Sequence, residues 1–387
     1  MIGDFTTRIR RFSEQVALCA AAVNARMHEM KGDMRIRLLK FFLSLALAPQ
    51  AWAQKTPATV PAADGVFAAF ATHPLVGIAE WHGLAQETDF YAALIRDPRF
   101  ARDVGNIVLE TGSASQQAVV DSYVNGDTVP YAELRRVWSD QVGWIPTVTY
   151  IGSINVYSAL RAVNLTLPPE QRIKVWLGEP PIDWSQIRTK DDWEPLMKER
   201  DNHPADLIAR EILSKGKKAL VIYGAAHMGL FGASKYFNLR AQIDAKQPGA
   251  WFVVVPYVGY LEKPCTARFE RDTRAWRGPA LAPVTGALKK RLLPPGCSIV
   301  DLPPKANEEQ RKSWEAYNTN FAGLTADALL YLGPRASLTR SPTRSDLYLD
   351  QDFRSEIDRR NRIMTGESLT EYTEKENIAA SRPFFPD

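Results

Sequence analysis

Short runs of apolar, often β-branched residues alternate along this chain with longer stretches in which apolar positions recur every three or four residues. The short runs predict strands at 75–79, 106–109, 173–177, 219–223 and 251–256, and the longer ones predict helices at 89–102, 131–140, 154–164, 205–215 and 235–245. Each strand run is apolar at successive positions rather than at alternate ones, so both of its faces have to be covered. Strands of that kind, separated by helices, pair in parallel. The expected class is α/β, a mostly parallel central sheet with helices on both faces, over residues 65–263. Beyond Lys263 the pattern breaks into proline- and arginine-rich sequence such as Arg277-Gly278-Pro279 and Leu293-Pro294-Pro295-Gly296. It recovers in 326–332, read as one more strand, and in a charged helix at 351–364. Residues 264–387 are therefore expected to be a C-terminal elaboration packing on the core.

Ahead of the fold the pattern is of another kind. Met34-Arg35-Ile36-Arg37-Leu38-Leu39-Lys40 is cationic, 41–48 is apolar, and Ala51 and Ala53 are the small residues a signal peptidase reads. Residues 34–53 thus have the form of a secretory signal peptide cleaved after Ala53. The apolar run is too short for a permanent span, so no stable membrane span is expected after cleavage, and the mature chain is expected in the periplasm or outside the cell. Met34 is the expected initiator and 1–33 an upstream extension; a long leading region or a cytosolic amphipathic helix (Phe12, Val16, Leu18, Cys19) is the alternative. Residues 54–64, small and proline-containing, read as a linker.

Composition narrows the classes further. With 387 residues, 45% hydrophobic and 24% charged, the chain is neither a disordered polymer nor a multi-span membrane protein. Its net charge of +4 is confined to the N-terminal stretch, because 1–53 holds eight basic and four acidic residues and the remainder carries equal numbers of each. No basic stripe survives, and nucleic acid is not an expected partner. Cys19 would leave with the signal, and Cys265 and Cys297 would remain, as a disulfide or as two free thiols.

In an open parallel sheet, ligands bind outside the carboxyl ends of the strands. Glu80 and His82 follow the first strand, two apart and hence on one side of an extended segment, with Gly83 permitting a tight exit. Glu110 ends the second strand, Glu179 and Asp183 follow the third, and His227 follows the fourth among Gly224, Ala225, Ala226 and Gly229. Only five histidines exist, and two of them hold equivalent strand-end positions beside glycine. Imidazole can act as base, acid or ligand near neutrality, and a carboxylate beside it orients or charges the ring. Glu199-Arg200-Asp201-Asn202-His203 precedes the fourth strand; Asp201 or Asn202 would serve as a helix N-cap, and His203 is either a third imidazole or simply the residue before Pro204.

Gly77-Ile78-Ala79-Glu80-Trp81-His82-Gly83, the strand ending at Glu110 and Tyr223-Gly224-Ala225-Ala226-His227-Met228-Gly229 resemble the motif series of the erythromycin esterase, ChaN and TraB/TIKI superfamily over about residues 66–260. In those families a G-E-x-x-H or G-x-x-H motif ends the first strand, a glutamate the second, and a second G-x-x-H a late strand. Gly224 to His227 fits the second motif, whereas the spacing from Glu80 to His82 is one residue shorter than the esterase pattern. The Arg200-Asp201 pair is similar to the helix start of esterase-like members. Together with Asp183-Trp184 and 329–334, this places the resemblance nearest a bacterial esterase-like branch.

The resemblance implies a site before it implies a reaction. Esterase members are metal-independent hydrolases in which a histidine activates water, TIKI members are metal-dependent proteases, and ChaN members bind haem. The expected function is a secreted or periplasmic hydrolase of erythromycin-esterase type acting on a small molecule with an ester or related acyl bond. His82 would activate water, Glu110 or Glu80 would orient and charge it, and His227 with Arg200 would stabilise the oxyanion or protonate the leaving group; Glu179, Asp183 and His203 would bind substrate. No cofactor is the first expectation. A divalent metal held by His82, Glu110 and His227, a haem carrier with a His or Tyr ligand, and a scaffold without activity are the alternatives.

Overall fold

The apolar runs become strands of one sheet. The computed structural model describes residues 58–143, 150–230, 236–259, 263–292 and 325–369, with residues 297, 308, 311 and 312. The upstream extension and signal peptide expected at 1–53 lie outside the described residues. The described residues fall in one compact unit.

The strands are β1 (Val60–Pro61), β2 (Leu75–Glu80), β3 (Asn106–Ser113), β4 (Lys174–Glu179), β5 (Ala219–Gly224), β6 (Trp251–Pro256), β7 (Ala280–Pro283) and β8 (Ala328–Tyr331). They form an eight-stranded sheet in the order β1-β7-β8-β6-β2-β5-β3-β4. From β8 to β4 every pairing is parallel; β7 alone runs against the rest, pairing antiparallel with β8 on one side and with β1 on the other. The class is α/β. The alternation along each strand explains why the runs are uninterrupted. In β2, Leu75 and Ala79 join one apolar layer with Val221, Tyr223, Val253 and Val255. Val76 and Ile78 point the other way and join Leu220, Ile222 and Val254. Strands β2, β3, β5 and β8 bury both faces along their whole length, at roughly 1.5–3 kcal/mol per large aliphatic side chain removed from water.

The covering helices are α1 (Ala62–Ala69), α2 (Ala85–Arg96), α3 (Gln117–Asn125), α4 (Ile151–Asn164), α5 (Lys190–Glu199), α6 (Asn202–Glu211), α7 (Leu239–Lys246), α8 (Lys263–Asp272) and α9 (Gln351–Thr365). Several bounds differ from those expected. Residues 60–64, read within a linker, already form β1 and the start of α1, where Ala62 is buried. The helix expected at 89–102 is displaced to α2 and stops at Asp97, with extended backbone before Pro98. The segment 131–140 breaks into two four-residue helices, Tyr131–Leu134 and Arg136–Ser139. Helices α3 and α5 and strand β7 had no expectation: α3 buries only Val120 and Val124, α5 buries no residue fully, and β7 ends in proline at the antiparallel side of the sheet.

The C-terminal elaboration extends the sheet as well as packing on it, since β7 and β8 belong to it. Its α9 closes a separate apolar cluster in which Phe353, Ile357 and Met364 meet Trp184 and Ile187, with Trp193 and Leu196 of α5 packed against it. Cys265 of α8 and Cys297 are joined as a disulfide, their Cα atoms 6.0 Å apart. Among the described residues no helix is long and apolar enough to cross a membrane.

Candidate active site

The carboxyl ends of β2, β3, β4 and β5 bring the polar residues together. A hydrogen bond from Ala225 N to Glu80 O (3.0 Å) ties the end of β2 to the turn after β5. In β3 the register against β4 shifts between Leu109 and Ser113, so Glu110 stands where the ladder is broken and its side chain is released from the regular pleat. The turn after β5 is closed by His227 N to Gly224 O (2.9 Å) and Leu230 N to Ala225 O (3.0 Å), which fixes His227 beside the end of its own strand.

Glu110 is the centre of the arrangement. It is 4% exposed, and its Oε1 lies 2.9 Å from Arg200 Nη2, 3.4 Å from His227 Nε2 and 3.8 Å from His82 Nε2. Its Oε2 accepts the Gly224 N–H. Burial alone would raise its pKa; charged His227 and His82, and then Arg200, more than reverse that and hold Glu110 well below the ordinary carboxylate range. Arg200, also buried, donates to Glu179 as well. Glu179 is 1% exposed and receives the Gly143 N–H at 3.0 Å, and its burial pushes its pKa up despite Arg200.

The two imidazoles differ in environment. His227 is 3% exposed, with Nδ1 2.6 Å from Asp201 Oδ1 and Nε2 facing Glu110. A ring with a carboxylate oxygen at each nitrogen donates from both, which is the imidazolium form. Burial opposes that charge, but Glu110 and Asp201 outweigh it and hold the pKa at about 9. Tyr223 and Phe237 meet the same ring edge-on. His82 is one-fifth exposed and has no hydrogen bond to either neighbour: Nδ1 is buried 3.6 Å from Glu80 Oε1, and Nε2 is the nitrogen open to the cleft. Burial would lower its pKa; Glu110 and Glu80 raise it on balance.

Above these groups lies a cleft of about 470 Å³. Glu80, His82, Glu110, Arg200 and His227 face it, and its walls are Trp81, Trp193, Met197, Phe237 and Met364. The five residues expected to carry chemistry therefore meet in one place. The three expected to bind substrate do not line it. Glu179 is sequestered behind Arg200, Asp183 is exposed on the following loop with its carboxylate accepting from Ser185 N (3.0 Å) and Oγ (2.6 Å), and His203 faces away on α6, its pKa lowered by burial.

Two further carboxyls belong to the constellation. Asp201 was legible as an N-cap, yet its side chain caps nothing on α6. Its Oδ1 orients His227, and its Oδ2 accepts Asn238 N (2.7 Å) and Leu239 N (2.8 Å) at the start of α7. Glu87 of α2 is fully buried, accepting Trp81 N and Tyr91 Oη, each at 3.0 Å, and burial with Glu80 nearby raises its pKa well above the ordinary value. Glu87 falls in a polar first turn, where sequence alone reads a solvated face.

The alternative of a metal held by His82, Glu110 and His227 does not fit these contacts. Glu110 already receives a guanidinium and a backbone N–H, and both nitrogens of His227 face carboxylates. Among the described residues no three His, Cys, Asp or Glu side chains are grouped as a metal site.

No family model matches the chain, and no curated protein does. Solved structures of similar fold include ChaN of Campylobacter jejuni, described for cofacial haem binding, at 14% identity and a TM-score of 0.32 over 50% of this chain and 85% of that one. The type III effector HopBA1 matches at 13% identity and 0.32, over 52% of this chain and 86% of the effector. A Bacillus cereus protein matches at 10% identity and 0.39, over 72% and 93% respectively. Likenesses this distant assign no activity.

Proposed function

We propose that the protein is a secreted or periplasmic hydrolase of the erythromycin-esterase type, cleaving an ester or related acyl bond. One observation carries the reading: two imidazoles converge on a single carboxylate oxygen of Glu110 at the floor of an apolar cleft, one locked as imidazolium and the other open to the cleft.

Neutral His82 takes a proton from water through Nε2, and the resulting hydroxide attacks the acyl carbon. Glu110 and Glu80 stabilise the charge that His82 acquires. The carbonyl electron pair moves onto oxygen, where the His227 imidazolium supplies a fixed positive charge that needs no reorganisation. Collapse expels the leaving group, which recovers the proton from His82. Arg200 does not touch substrate in this scheme; it keeps Glu110 ionised and placed. The Cys265–Cys297 disulfide suits an oxidising compartment.

Haem carriage is the second reading, favoured by the aromatic and methionine walls around a partly exposed His82. The separating experiment compares wild type with His82→Ala and His227→Ala on aryl esters, lactones and peptides, with and without chelator, alongside a haem titration. Turnover insensitive to chelator and reduced about 10²–10⁴-fold in His82→Ala, with folding retained, is expected. Absence of turnover together with a Soret band that His82→Ala abolishes would replace hydrolysis by haem binding.

A further inference from the structure

A groove of about 610 Å³ opens beside the cleft and shares Thr365 with it as a common wall. Arg188, Lys190, Arg359 and Arg362 line this groove, and no carboxylate does. Two of the four cations are anchored. Arg359 pairs with Glu356 at 2.7 Å and donates to Ile187 O (2.7 Å) and Trp184 O (3.0 Å), while Arg362 pairs with Asp358 at 2.8 Å. The other two are not: the Arg188 guanidinium and the Lys190 ammonium are exposed and make no hydrogen bond or ion pair among the described residues.

Cations normally find carboxylates where carboxylates are abundant, and the surroundings here supply several. Asp192 feels the charge of Arg188 and Glu194 that of Lys190 only through space, so neither cation spends a hydrogen bond on them and both side chains stay available to a further anion. The adjoining cleft is of opposite character, walled by Trp81, Trp193, Met197, Phe237 and Met364. We propose that the groove binds an anionic group, and that the substrate is an amphiphile whose apolar ester body lies in the cleft while a carboxylate or phosphate at its far end lies against Arg188 and Lys190. The inference rests on the hydrolase reading for the word substrate, but the groove's affinity for anions stands apart from it.

The test uses the full protein and a matched pair of esters of equal chain length, 4-nitrophenyl octanoate and the mono-4-nitrophenyl ester of suberic acid, which carries a terminal carboxylate. Binding of dodecyl phosphate below its micellar concentration, read by tryptophan fluorescence, runs in parallel. At low salt the wild type is expected to favour the charged ester by about tenfold in kcat/KM, two exposed pairs contributing a few-fold each. Arg188→Ala/Lys190→Ala should abolish that ratio and weaken dodecyl phosphate about tenfold, and about 0.5 M salt should do the same to wild type by screening. Arg188→Glu, a second variant of independent folding risk, should invert the preference. An unchanged ratio in both variants overturns the proposal, as does capture by phosphatidylglycerol vesicles without any binding of monomeric dodecyl phosphate. Arg188-dependent binding of dodecyl phosphate with no turnover of either ester would leave the groove in place and remove the hydrolase; turnover of both esters at equal rates would do the reverse.

Discussion

At position 224 one methyl group decides whether the site can assemble. A Cβ there would lie 2.7 Å from His82 Nε2 and 3.1 Å from Glu110 Oε2, so glycine is required by close approach and not by an unusual backbone angle. Gly224→Ala should therefore push His82 off Glu110, lowering kcat/KM by at least about 100-fold while the overpacking costs stability only about 1–3 kcal/mol, as a thermal melt beside the kinetics would show. Gly83 is the contrasting case, needed for its positive φ of 86° in the exit from β2. His82, Glu110 and His227 were legible in the sequence because a polar residue that ends an all-apolar run has few places to go but the carboxyl edge of the sheet. Glu87 was not, because its burial is decided by Trp81 N and Tyr91, which fold back on it from the preceding turn and the next turn of its helix.

At the scale of elements, strands were read more faithfully than helices. A strand buried on both faces writes its identity into every residue, whereas α5 has no fully buried residue and is set instead by the Thr189–Asp192 capping box. Asp201, at the junction of α5 and α6, joins three elements at once: the helix that carries it, the turn that carries His227 and the start of α7. This fixes a pH prediction. His82 must be neutral to act as base and its pKa is raised, so kcat/KM should climb through a value above 6.5; His227 must be charged, so the rate should fall as pH passes about 9. Asp201→Asn retains an oxygen for the α7 N–H groups but removes the anion beside His227. The alkaline limb should move to lower pH, and because the raised His227 pKa is itself stability at neutral pH the melting temperature should fall with it; a limb that stays near 9 would assign it to another group.

For the molecule as a whole, the parallel sheet and its two apolar layers follow from the pattern of the chain, while the strand order and the antiparallel pairings do not, the latter because β7 lies in proline-rich sequence that reads as loop. The disulfide closes a segment with a sequence separation of 32 and lies outside the cleft lining. Its loss should cost about 3–4 kcal/mol on the loop-entropy model, so reduction, or Cys265→Ser with Cys297→Ser, should lower the melting temperature by several degrees and leave kcat/KM at 25 °C unchanged. The layout of the cleft has a consequence for how such a molecule diversifies. Every group assigned to the reaction comes from β2 and the turn after it, β3, the α5–α6 junction and the turn after β5, whereas Met364 and Thr365 come from the last turn of α9, a helix that carries none of them. The α9 side of the wall is thus inherited apart from the floor that reacts, and lineages could exchange that side, and with it part of their substrate preference, without disturbing the chemistry.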